Sequence, residues 1–428
     1  LLALLPDPGS AGTQFIFMLV LVALTVLLLA IAAWRLAGPV AALLAVGLHV
    51  LWILPFDGAH VWYDLGLAPF YLVALLLGWE MLRRPGTNLL PVALGLLLGL
   101  AFLLKQQAAV GLVGALAIMP FRRPRALILY LGAASLPVVI SVLVFSFAGA
   151  LGDYVYWVVT YNLSPTYVQG ASAPIPAADW PFLLALFAPV LALAVSLVSF
   201  RNLWHTRRGF LFFAGALLIA ATLPVWPRYA RFHLAGALPL LALFGGIAAS
   251  NLILRFPGWR TRALLLWIAG LLLILFSLRL TGPSGVRMLS AVWQAQPVPL
   301  PYSATVGPLH SWVQSNTPAD QPILVYDLDS TLYRVLERQP PKPWSPFFPW
   351  IMQGDSTADQ WVAGIETAHP RLALVTPEFV AGRHLPLPDG GRSEQFLRSN
   401  YLAGPIFTVE KYPGSGQQKI VVLQLSTP

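Results

Sequence analysis

The sequence predicts a polytopic α-helical membrane protein, with about ten transmembrane helices followed by a small C-terminal α/β soluble domain. Three observations predict this. First, 57% of the 428 residues are hydrophobic and only 10% charged, where average soluble domains carry about 25% charge, and mean hydropathy is +0.72. Second, apolar stretches close to the ~20 residues needed to cross a bilayer core recur up to Leu280. Third, the arginines collect in short clusters between those stretches, which is the pattern that sets membrane orientation.

Breaks at arginine, proline or polar residues place the spans at Phe15 to Trp34, Pro39 to Phe56, Leu65 to Leu82, Leu89 to Leu104, Gln106 to Pro120, Ala126 to Ala150, Pro181 to Phe200, Phe210 to Val225, Leu234 to Leu254 and Ala263 to Leu280. The two that flank Lys105 are short for a bilayer, so a tilted, broken or re-entrant path is expected there. The clusters Arg83/Arg84, Arg122/Arg123/Arg125, Arg201/Arg207/Arg208 and Arg255/Arg260/Arg262 then fall in every second loop. By the positive-inside rule these loops are cytoplasmic, in a multi-pass protein of the plasma (inner) membrane. The 56–64 loop, Lys105, the 151–180 segment, the 226–233 loop and the C-terminal domain are accordingly expected on the extracytoplasmic side.

Domain boundaries are expected at 1–280 and 281–428. Beyond Leu280 the apolar density falls, and Ile323 to Tyr326, Leu372 to Val375, Phe407 to Tyr412 and Ile420 to Leu425 read as strands. Helices are expected around Gly307 to Ser315, Thr331 to Glu337, Asp359 to Thr367 and Ser393 to Leu402. In a soluble protein a net charge of +9 would suggest nucleic acid; here it is an orientation signal, and no nucleic-acid partner is expected. The absence of cysteine excludes disulfides, thiolate metal sites and cysteine nucleophiles.

Four polar groups stand out. Asp57, His60 and Asp64 lie in a short loop between spans, where ionisable groups are costly and call for a functional hypothesis; from spacing alone, helix capping by Asp64 beside belt aromatics Trp62 and Tyr63 is the commoner reason for such a pattern. Lys105 is the single charge between Leu89 and Met119, and either snorkels to an interface or meets an anion such as a lipid phosphate. Arg228, Tyr229, Arg231 and His233 lie on the side where basic residues are unexpected, either as anchors or as a phosphate grip. The fourth, Asp327-Leu-Asp329-Ser-Thr, looks like a phosphatase aspartate motif, but the ~25 proline-rich residues before Gly354-Asp355 leave no room for that fold, and capping by Asp329 or Ser330 is enough. The aromatic stretch Asp153 to Tyr167 suits an interfacial helix or a sugar-stacking surface.

The layout resembles the polytopic GT-C superfamily of glycosyltransferases, which includes protein O-mannosyltransferases and aminoarabinose transferases, over nearly the whole chain. Gly95 to Lys105 is similar to the family's Gly-Leu-x-x-Gly-Leu-Ala-x-Leu-x-Lys stretch, and Asp64 heads a long apolar helix as an aspartate often does there. Arg231-Phe-His233-Leu-Ala-Gly-Ala-Leu-Pro239 resembles its Arg-Tyr-Leu-Leu-Pro-x-Leu-Pro, with His233 where tyrosine is usual and Gly236 in place of a proline. Asn316-Thr-Pro-x-x-x-Pro-Ile-Leu-Val-Tyr, Leu332-Tyr333 and Arg338-Gln-Pro-Pro resemble the family's outer C-terminal domain.

The resemblance implies transfer of a sugar from a polyprenyl-phosphate donor to a glycan, lipid or protein acceptor on the extracytoplasmic face. It puts Lys105, Arg228, Arg231 and His233 on the donor phosphate, and Asp64 and Asp57 in catalytic positions. It specifies no metal ligand, although a divalent metal is compatible with it, and the partners implied are the lipid-linked donor and membrane lipid. The family's main catalytic aspartate sits in a first outer loop, and this chain is expected to begin after that loop. The alternatives are a transporter or flippase for lipid-linked sugars, or a non-catalytic accessory membrane subunit.

Overall fold

A computed structural model describes residues 11–53, 63–119, 123–163, 175–180, 183–184, 187, 201–226, 229–254, 258, 261, 302, 304–326, 328–341, 355–382, 391–411 and 417–426. The chain forms two compact units. One comprises Leu1–Tyr156 and Ser172–Ser290, the other Trp157–Ala171 and Ala291–Pro428.

The first unit is helical. Its elements are α1 (Ala11–Ala37), α2 (Pro39–Ile53), α3 (Tyr63–Arg83), α4 (Leu89–Leu104), α5 (Ala109–Ala115), α6 (Pro124–Phe147), α7 (Arg201–Thr222) and α8 (Leu238–Leu254). Among the described residues, four helical stretches are long and apolar enough to cross a membrane: Ile16–Ala37, Asp64–Arg83, Pro124–Phe147 and Arg208–Val225. Four shorter apolar helices, Pro39–Ile53, Leu89–Leu104, Gln106–Ile118 and Leu238–Leu254, fill the positions of the other described spans. The chain is thus a polytopic membrane protein. Most of the seventh expected span and all of the tenth lie outside the described residues.

The fifth span is broken, as its length suggested. A 3-10 turn over Gln106–Ala108, α5, and a second 3-10 turn over Leu116–Ile118 replace one continuous helix. With the larger rise of 3-10 turns, these residues cover about 22 Å, short of a hydrocarbon core of about 30 Å. Lys105 is the break itself: it is extended (φ −159°, ψ 124°) and its N–H still bonds back to the Ala101 carbonyl. Departure from helix at membrane depth is tolerated where protein lines the gap.

Small residues let the helices approach. Lipid offers no hydrophobic force between helices, so close packing must supply the adhesion. Gly95 and Gly99 on α4 lie directly on backbone carbonyls of Tyr130 and Ala134 of α6, and Gly246 of α8 would place a Cβ 2.6 Å from the Ala45 nitrogen of α2. The stretch that carries the family resemblance up to Lys105 is therefore also a packing surface. At one end of the bundle Arg84 Nε bonds Glu80 at 2.8 Å, and Arg123 Nη1 donates to the Pro85 carbonyl at 2.6 Å, so basic clusters from two loops meet there as the alternation requires.

The second unit is a four-stranded mixed sheet with helices on both faces. Its elements are α9 (Gly307–Asn316), β1 (Leu324–Val325), α10 (Thr331–Val335), α11 (Asp355–Ala368), β2 (Leu372–Val375), α12 (Pro377–Val380), α13 (Arg392–Asn400), β3 (Tyr401–Glu410) and β4 (Gln417–Leu425). Strand order is β1-β2-β4-β3, with β1 and β2 parallel and the other pairs antiparallel. Alternate residues serve two cores: Leu372 and Leu374 pack with Leu309, Val313 and Leu336, while Ala373 and Val375 pack with Trp361, Phe379 and Leu397. β3 begins at Tyr401, earlier than the sequence suggested, because a bulge between Ala403 and Ile406 absorbs Gly404 and Pro405 on an edge strand, where proline is tolerated.

The tail motifs hold this unit together. Arg338 is buried, donates through Nη2 to the Thr317 carbonyl at 2.9 Å and closes the end of α9. The Val325 amide donates to Tyr333 Oη at 2.9 Å. Asp329 Oδ1 accepts from the Thr331 amide at 2.9 Å, and Oδ2 pairs with Lys411. It is a turn and ion-pair residue, as the rejection of a phosphatase motif required; Asp327 lies outside the described residues.

Two predictions follow from this packing. Gly99→Val has no room against Ala134 and is expected to cost at least about 2 kcal/mol, read as a lowered midpoint of thermal unfolding in detergent. Burial pushes the Asp329 carboxyl up, but bonds from Lys411 and Thr331 and the Lys411 charge outweigh it and hold it below the ordinary carboxylate value. A depressed folded-state value contributes stability that is present above about pH 4 and lost as pH falls through it. Lys411→Met should therefore reduce amide protection of β1 and β2 by about 1 kcal/mol at pH 6, and the difference should shrink towards pH 3 when hydrogen exchange is compared at matched pH.

Candidate active site

Three helix ends meet on a buried carboxylate. Asp64 lies in the first turn of α3, where a negative charge opposes the exposed amides of a helix N-terminus. Lys105 is in the break after α4. His233 is on a 3-10 turn, Arg231–Leu234, just ahead of α8. Lys105 Nζ pairs with Asp64 Oδ1, and His233 Nδ1 lies 3.0 Å from Oδ2. A carboxylate oxygen accepts, so in this contact the Nδ1–H of His233 donates to Oδ2, and Nε2 is on the far edge of the ring. Asp64 is fully buried, while the side chains of Lys105 and His233 keep 18% and 17% exposure. The anion is at the back and two nitrogen-bearing side chains are at the front.

The fit of His233 depends on two contacts. Gly236 packs on the backbone of Asp64, where a Cβ would come 2.5 Å from the carbonyl oxygen, so a residue without a side chain fits there. On the other side Tyr229 Oη donates to Asp179 Oδ2 at 2.8 Å in a buried pair. The Phe232 ring lies against His233, tilted by 52° with ring centres 4.3 Å apart. Residues 229–237 are thus held at both ends with His233 between them.

Of the residues singled out in the sequence, Asp64, Lys105 and His233 come together. Arg231 shares the turn of His233, but its side chain, like Asp57 and Arg228 as a whole, lies outside the described residues. Asp179 was not apparent in the sequence, its only signal being a lone acid in an apolar stretch. Nor were Tyr71 and Gln107: each leaves a buried side-chain oxygen without a hydrogen-bond partner among the described residues. Tyr71 follows Asp64 by two turns on the same face of α3, and Gln107 follows Lys105 by two residues. Buried polar atoms of this kind call for water or a ligand.

A cavity of about 300 Å³ opens beside this turn, lined by Leu234 with Ile175, Trp180, Leu183, Phe187 and Val225. Its walls are apolar. Among the described residues no group of three His, Asp or Glu side chains is placed to hold a metal ion.

A polytopic membrane fold with a buried carboxylate and two nitrogen groups at the helix ends defines the class. No protein-family model and no curated protein matches the sequence. Among solved structures the chain is similar to ArnT from Cupriavidus metallidurans, in the apo state (14% identity, TM-score 0.50, covering 96% of this chain and 83% of that one) and bound to undecaprenyl phosphate (14%, 0.52, 97% and 84%). The apo Archaeoglobus fulgidus oligosaccharyltransferase aligns over 95% of this chain at 13% identity and a TM-score of 0.48, and the chain spans 64% of its length. The chain shares the polytopic membrane fold of ArnT from Cupriavidus metallidurans.

The charge balance predicts the behaviour of variants. Lys105→Met leaves the buried Asp64 without its cation and is expected to cost about 3 to 5 kcal/mol, whereas Asp64→Asn in the same chain should recover most of that loss. Thermal unfolding of the single and double variants in nanodiscs checks this; a double variant no more stable than Lys105→Met would show that the pair is not what holds the site.

Proposed function

We propose that this protein transfers a sugar from a polyprenyl-phosphate-linked donor to an acceptor hydroxyl at the membrane face where Asp64, Lys105 and His233 meet. The observation that carries this reading is the placement of two partly exposed nitrogen-bearing side chains, Lys105 and His233, on Asp64, with the apolar cavity lined by the residue that follows His233, Leu234. A phosphate and an isoprenoid chain need these two surfaces side by side. The fold shared with ArnT, whose structure bound to undecaprenyl phosphate is among the similar ones, supports it.

The acceptor oxygen attacks the anomeric carbon, the bond from that carbon to the phosphate oxygen breaks, and polyprenyl phosphate departs. Lys105, His233 through Nε2, and the Arg228 and Arg231 guanidiniums stabilise the charge that grows on the leaving phosphate. Asp64 has both oxygens engaged, so its part is to line the cavity and hold the two nitrogen groups in place. The acceptor proton passes to a carboxylate, for which Asp57 on the adjoining loop is the nearest in sequence. The arginine pattern supports an extracytoplasmic location for this chemistry, at the plasma membrane.

Undecaprenyl phosphate, the product common to such donors, is the probe that needs no knowledge of the sugar. The wild-type chain in detergent should bind it saturably, and Lys105→Ala should weaken binding about ten-fold, or ~1.4 kcal/mol. Equal binding by both would remove Lys105 from the phosphate site, and no binding by the wild type would overturn the reading.

A further inference from the structure

At the opposite end of the bundle three arginines converge on one acid. Arg84 Nε bonds Glu80 Oε1 at 2.8 Å, while Arg35 Nη1 and Arg83 Nη1 stand 3.9 and 4.0 Å from Oε2, beyond hydrogen-bond range. Among the described residues Glu80 Oε2 accepts no hydrogen bond. Three positive charges on one carboxylate leave a net charge of +2. Arg35 comes from the last turn of α1 and Arg83 from the last turn of α3, and their half-exposed guanidiniums lie within about 8 Å of each other. At that separation, inside one Debye length of about 8 to 10 Å, like charges repel, and among the described residues their guanidinium donors make no hydrogen bond that would offset this.

We propose that Arg35 and Arg83 bind the phosphate of an anionic phospholipid headgroup. One phosphodiester between the two guanidiniums accepts from both forks and offsets the excess charge. The neighbouring side chains favour a lipid over free phosphate. Trp34, 66% exposed, precedes Arg35, and Leu82, 41% exposed, precedes Arg83. An exposed tryptophan at a helix end belongs at the headgroup level, and exposed leucine beside it meets an acyl chain. Gly38, with φ +89°, ends α1 and starts α2, fixing Trp34 and Arg35 at the tip of a tight helical hairpin.

Native mass spectrometry of the full-length chain in neutral detergent tests this, with added palmitoyl-oleoyl phosphatidylglycerol, the matching phosphatidylcholine, or sodium phosphate. The wild type should retain one phosphatidylglycerol about ten-fold more tightly than phosphatidylcholine. Arg35→Gln with Arg83→Gln should abolish the preference, while Arg260→Gln with Arg262→Gln, an equal loss of charge in another basic loop, should keep it. Should the glutamine pair prove unstable, Arg35→Lys with Arg83→Lys keeps the charges but not the forks and should retain the lipid about three-fold less well. Equal loss in both glutamine pairs would mean diffuse attraction, and displacement by equimolar sodium phosphate would mean a soluble anion; either result overturns the proposal. Undecaprenyl phosphate binding should persist in the Arg35/Arg83 variants, so failure here is distinct from failure of the transferase reading.

Discussion

The buried carboxylate of Asp64 is the constraint around which the helical unit is arranged. An ionised group without exposure at membrane depth is tolerated only with partners that compensate its charge and fill its lone pairs. The partners here come from residues 41 and 169 positions away in sequence. Satisfying one carboxylate therefore fixes the start of α3, the end of α4 and the turn before α8 relative to each other. The same requirement explains local features that look costly alone, namely the extended residue at Lys105, the short 3-10 turn at His233 and the bare glycine at 236.

This arrangement separates the job of holding from the job of binding. Asp64 is inaccessible, and the groups it orients face outwards. The carboxylate lies behind the two nitrogen groups and holds them in a defined geometry, which is how preorganised electrostatics act. The glycine-lined contacts between α4 and α6 support this from behind, because they fix the helix whose end carries Lys105.

Much of the architecture was legible in the sequence because membrane spans and alternating strands are one-dimensional patterns. Apolar length and arginine spacing marked the helices, and short β-branched runs marked the sheet of the C-terminal unit. What the sequence did not show is set by proximity in space. Nothing local indicates that His233 faces Asp64, that Asp179 secures Tyr229, or that Arg35 and Arg83 share Glu80. The start of β3 was misplaced for a related reason: Gly404 and Pro405 read as a break, and only the pairing partner β4 reveals that a bulge accommodates them.

The contact between Gly236 and the Asp64 backbone has a mechanical consequence. Residues 231–237 form one wall of the apolar cavity through Leu234, carry His233, and touch α3 with no side chain between. A guest entering the cavity cannot push this stretch aside without also moving the imidazole and the carboxylate. Cavity wall, imidazole and buried carboxylate are thus mechanically one piece, a single seven-residue strap.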